Sequence, residues 1–80
     1  MTPEERHRRL KAQIAGLELD IADTETSLAA TLRDRAATVA QAGRTADAER
    51  LTRQAERAEQ YADLERRRAA AHSDGDVQPE

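Results

Sequence analysis

Large aliphatic residues recur through the first half of the chain at Leu10, Ile14, Leu17, Ile21, Leu28, Leu32 and Val39, separated by polar residues and alanines. At about 100° per residue these seven positions share one arc roughly 60° wide, the mark of a helix rather than of strand alternation. Their mean spacing is near 3.6 instead of a strict 3.5, so supercoiling is expected to be slight, with a stutter near Leu28–Leu32. The start of this helix is well signposted. Thr2 is placed to cap it, Pro3 takes the favoured first position, and Glu5 completes a capping box. Glu4 and Glu5 also complement the positive end of the helix dipole. Gly16 costs about 1 kcal/mol relative to alanine, too little to stop so long a segment. The pattern predicts a first helix over about residues 3–42.

In "TVAQAGRTADAER" the pattern changes. Gly43 suits the left-handed position that ends a helix, and Thr45 follows as a cap for a second one, with Asp47 and Glu49 in its first turn. A stop signal and a start signal lie back to back, as a tight corner requires. The second helix is expected over about residues 46–71, after a turn at 43–45. Its stripe is Ala48, Leu51, Ala55, Ala58, Ala62 and Ala69. Folded back on the first helix, it sets Leu32 opposite Ala55, Leu28 opposite Ala58 and Glu59, and Val39 opposite Ala48. Arg66, Arg67 and Arg68 then fall among Glu18, Asp20, Asp23 and Glu25. The predicted fold is therefore all-α: an antiparallel two-helix hairpin, coiled-coil-like, with leucine packed against alanine. The first helix would outrun the second by roughly 20 Å.

The stretch "LRDRAATVAQAGRTADAERLTRQA" resembles a single tetratricopeptide-type hairpin, with Ala36, Gly43, Ala48 and Ala55 at its small-residue positions. The resemblance covers under a third of the chain and implies the same local fold-back. It does not imply membership of that family: the first helix begins too early, Gln60 stands at the proline position, and no second copy follows.

Composition adds a constraint. Alanine supplies 17 of the 80 residues, there is no Phe, Trp or Cys, and Tyr61 is the one aromatic. So few large side chains cannot enclose a globular core unaided, and a partner is the expected supplement. The missing cysteines exclude disulfides and thiolate metal sites. No apolar run approaches the ~20 residues of a membrane span, and "MTPEERHRRLKAQ" has no signal-peptide character, so a cytoplasmic location is expected. Residues 12–31 carry four acidic groups and no basic one, whereas basic groups prevail at 1–11 and across 32–71. Such segregation suits charges that neutralise one another more than a surface for nucleic acid. The polar, acidic segment 73–80 is predicted to be a disordered tail.

Candidate site residues follow from what the stripes leave over. Leu10 and Ile14 lie on the overhang, and Leu19, Tyr61 and Leu64 lie off the stripes, so these five are the candidate partner-binding residues. A second copy, giving a dimeric four-helix bundle, or another helical protein would cover them. Arg6, Arg8 and Arg9, with Arg66, Arg67 and Arg68, are the candidate anion-binding groups. His7 and His72 read as solvated, Ser27 and Ser73 lack a neighbouring base, and no phosphate-binding loop is present, so neither catalysis nor a cofactor nor a metal is expected. The sequence points to a non-enzymatic protein-interaction module. The alternative is a regulatory hairpin docking on transcription machinery such as a sigma factor, with a nucleotide or nucleic acid at the arginines.

Overall fold

The computed structural model describes residues 1–74, with the backbone alone at Asp74. Two helices, α1 (Pro3–Gln41) and α2 (Thr45–Asp74), pack against each other antiparallel, and no strand occurs among the described residues. The predicted tail lies outside the described residues from Gly75 onward; Ser73 and Asp74 belong to α2.

Local chemistry sets both ends of α1. The Thr2 hydroxyl accepts from the Glu5 N–H at 3.1 Å, and the Thr2 carbonyl takes the Arg6 N–H at 3.1 Å. At the far end Gly43 has φ +81°, while its N–H donates to the Ala40 carbonyl and that of Arg44 to the Val39 carbonyl, both at 2.9 Å. These two bonds form a Schellman closure, which satisfies carbonyls that a helix end would leave open. Thr45 is the first residue of α2 and not its cap; the Arg44 carbonyl takes the first helical bond, from Ala48 at 3.0 Å. Asp47 sits in that first turn, where Arg44 and Arg50 converge on it at 2.6 and 3.0 Å. The fold-back gives a flat particle of 61 × 24 × 10 Å, where an unbroken helix of the same residues would exceed about 100 Å.

The seam between the helices differs from the leucine-against-alanine packing expected. Its buried apolar residues are all alanines: Ala15, Ala22, Ala29 and Ala36 on α1, and Ala55, Ala58, Ala62 and Ala69 on α2. Leu17, Ile21 and Leu28, expected to face α2, stand 63%, 43% and 46% exposed. Leu32 is the large aliphatic that packs on the Ala29–Ala55–Ala58 cluster, and Val39 and Leu51 are half-buried nearer the turn. Ala29, Ala55 and Ala58 share one cluster with Leu32 packed against it, close to the expected level, but α1 is rotated about its axis.

Geometry explains the rotation. Alanine recurs every seven residues without a break at 15–36 on α1 and at 48–69 on α2. Two such rows let the axes come to the close end of the usual 8–10 Å along the whole contact. The aliphatic stripe is interrupted by Thr24 and Glu25 and offers no equally continuous partner for that row. Each buried methyl contributes only about 0.8 kcal/mol, so the hairpin depends on keeping many of them in close contact at once.

Candidate interaction surface

With the alanines turned inward, α1 carries a second seam displaced by one residue. Leu10, Ile14, Leu17, Ile21, Thr24, Leu28 and Thr31 alternate four and three residues apart, and all seven are exposed. That spacing is the a/d pattern of a coiled coil, which matches another helix laid alongside. The threonines keep the seam from being a polar surface. Thr24, Thr31 and Thr38 each donate their hydroxyl back to the carbonyl four residues earlier, at 3.0, 3.1 and 3.1 Å. Their polar hydrogens are thereby satisfied inside the helix.

α2 contributes to the same face. Ile21, Leu28 and Leu32 line a shallow open groove with Arg57, Ala58 and Tyr61 of α2, and Glu25 and Gln54 complete its walls. Leu64 follows Arg57 by seven residues and so shares its side of α2. Tyr61 and Leu64 are 48% and 38% exposed. Of the five candidate partner-binding residues, Ile14, Leu10, Tyr61 and Leu64 fall on this face. Leu19 does not. It shares a seven-residue row with Thr26 and Arg33, and those two are tied to Arg66 and Glu59 on the opposite edge of the hairpin. Leu19 is therefore a separate exposed side chain at 47%, of a kind common on protein surfaces.

That opposite edge is closed by polar contacts. Arg33 donates to both Glu59 oxygens, from Nε at 2.9 Å and Nη2 at 2.6 Å. This forked pairing holds the Glu59 carboxyl below its ordinary range, chiefly through the hydrogen bond, and raises the Arg33 guanidinium further. Arg66 donates to the Thr26 hydroxyl at 2.7 Å.

The arginine clusters are placed differently from expectation. Arg66, Arg67 and Arg68 do not pair with the acidic stretch of α1. Arg66 lies 3.5 Å from Asp63, Arg67 donates to the Asp63 carbonyl at 3.4 Å, and Arg68 bonds Glu65 at 2.8 Å, all within α2. Successive helical positions diverge by about 100°, so Arg67 and Arg68 bond residues three or four earlier, while Arg66 also reaches across to the Thr26 hydroxyl and to no carboxylate of α1. Arg6, Arg8 and Arg9 are exposed on the first turns of α1 and point to different sides for the same reason.

Three ionisable groups lie in the distal half of the alanine seam, where the sequence reading placed none. Glu65 is buried at 3% exposure, with Arg68 on its carboxylate. His72, expected to be solvated, lies on α2 with Nδ1 2.7 Å from Oε1 of Glu18, whose side chain is only 12% exposed. The signal was spacing: 51, 58, 65 and 72 form one seven-residue row of α2. Among the described residues no group of metal-ligating side chains converges, and no helix is long and apolar enough to cross a membrane. No family model matches the chain, and neither a curated protein nor a solved structure does.

Proposed function

We propose that the protein is a non-enzymatic protein-interaction module whose binding element is the outer seam of α1 together with Tyr61 and Leu64 of α2. The observation that carries this reading is the exposed four-three row from Leu10 to Thr31, which repeats the spacing of a helix-pairing surface over three heptads. Exposed apolar side chains scattered singly need no explanation, but a continuous row rimmed by charge is the form that interaction sites take. The partner is helical: a second copy of this chain, completing a dimeric four-helix bundle, or a helix of another protein. Docking on transcription machinery gains no separate support, since the arginines that would hold a nucleotide diverge or bond groups within the hairpin.

A photo-crosslinking residue at Leu17, 63% exposed on the seam, tests the reading against the same residue at Glu49, off the seam on α2. In the host cell the Leu17 probe is expected to yield a discrete protein adduct, of itself or another chain, and the Glu49 probe none. Equal yields, or no adduct from Leu17, would refute it.

A further inference from the structure

The face is electrically asymmetric across its width. The α1 side is bordered by Asp20 and Ser27, one residue before the seam positions Ile21 and Leu28, and by Asp34, seven residues after Ser27 and just before Arg35, all exposed. On α2, Arg50, Gln54, Arg57, Tyr61, Leu64 and Arg68 repeat the four-three spacing, and the row beside them is Arg53, Gln60 and Arg67, also exposed. Acid borders one long edge and base the other. Arg6, seven residues before Gln13 and fourteen before Asp20, belongs to the acidic row but lies on the overhang beyond the end of α2.

Such a surface is complementary to itself under only one of the two rotations that stack hairpins face to face. A two-fold axis running across the helices sets α1 on α1 and α2 on α2, bringing acid to acid and arginine to arginine. An axis running along the helices sets each α1 on the α2 of the other copy. All neighbouring helices are then antiparallel and both turns lie at the same end. That symmetry also forbids axial slip, so each α1 residue faces the level of the second α2 that it already faces in its own. Ala29 shares one cluster with Ala55 and Ala58 within the hairpin, which puts the offset near 29 against 58. At the same offset Asp20 lies level with Arg67 of the second copy, Ser27 with its Gln60, and Asp34 with its Arg53. These are flanking positions of an antiparallel seam, where charge selects partner and orientation.

We infer that the partner is a second copy of this chain, bound along a two-fold parallel to the helices, with Asp20–Arg67 and Asp34–Arg53 pairs closing each edge. This rests on the proposed interaction role and commits it to one occupant. Inside the bundle Leu28 comes within about one helical turn of Tyr61 of the second copy, and Ile21 within about one turn of its Leu64.

The chain has no cysteine, so Ala42→Cys carries a single spin label at the turn. Sedimentation is expected to give a dimer, and pulsed electron resonance a label separation of roughly 20–30 Å, the width of a four-helix bundle with its labels. Turns at opposite ends would give roughly 50–60 Å and overturn the arrangement. Asp20→Arg is expected to raise the dimer Kd about tenfold or more, and addition of Arg67→Asp to restore it to within about threefold. Absence of that rescue also counts against the pairing. A monomer whose Leu17 probe still captures a different protein overturns the homodimer and leaves the interaction role standing. A monomer whose probe captures nothing ends both.

Discussion

The alanine row of α1 is buried to within a few per cent, from Ala15 at 4% to Ala36 at 7%, while the row one residue earlier, Ile14 to Leu28, stands nearly half exposed. Both rows repeat every seven residues on the same helix, and they differ in side-chain size. In a contact between only two helices, the small residues win, because methyls on both sides let the backbones approach along the whole length. Large side chains suit a wider space. The centre of a four-helix bundle is such a space, and the outer row would fill it. In the proposed dimer, size would assign the two rows to two levels of assembly.

The largest effect is expected from exchanging sizes between the rows. Ala29→Leu forces bulk into the closest part of the seam and is expected to cost about 1–3 kcal/mol. Leu28→Ala, in dilute solution where association adds nothing, should cost under about 1 kcal/mol, since Leu28 is already 46% exposed. Urea unfolding of both variants decides the matter. If Leu28→Ala proves the more damaging, the leucine row faces α2 and the rotation of α1 is wrong.

A smaller effect is expected at the corner that holds the rows in phase. A Cβ at Gly43 would meet nothing within 4 Å, so the cost of substitution there is conformational and arises from φ +81°. Gly43→Val should lose about 1–2 kcal/mol, and Gly43→Asn less, because asparagine tolerates the left-handed region. Equal losses for the two would point to steric crowding in place of backbone strain.

The corner was the part most legible in the sequence, because Gly43 acts locally and its chemistry is the same in any helical hairpin, although Thr45 begins α2 and does not cap it. The level of pairing was also legible, since the tight turn fixes it: residues about equally far from Gly43 must meet. The rotation of α1 was not. Hydrophobic periodicity weights leucine and isoleucine above alanine, so it marked the strongest apolar arc and passed over the weaker alanine repeat beside it. Yet helix pairing depends on closeness as well as apolarity, and closeness is what alanine supplies. The same bias left Glu18, Glu65 and His72 unread as seam residues. Leu19 was grouped with Tyr61 and Leu64 because all three lie off the stripes; once α1 turns, Leu19 stands apart from them, in one row with Thr26 and Arg33 at the far edge.

The smallest effect of the rotation is expected at that far edge. Turning α1 so that alanine faces inward brings Arg33 out beside Glu59, and the hydrogen-bonded guanidinium lowers the Glu59 carboxyl pKa. A carboxyl whose folded pKa is depressed adds stability above its unfolded pKa and loses it as pH falls through the folded value. Melting temperature in low salt should therefore fall more steeply on acidification, through and below the usual carboxylate range near 4, in the native chain than in Glu59→Gln. Salt should narrow the difference, because both side chains are exposed, at 46% for Arg33 and 45% for Glu59, and so are screened. Identical pH profiles for the two proteins would mean that the pair does not form, and with it the clearest mark of the rotated seam would be lost from that edge.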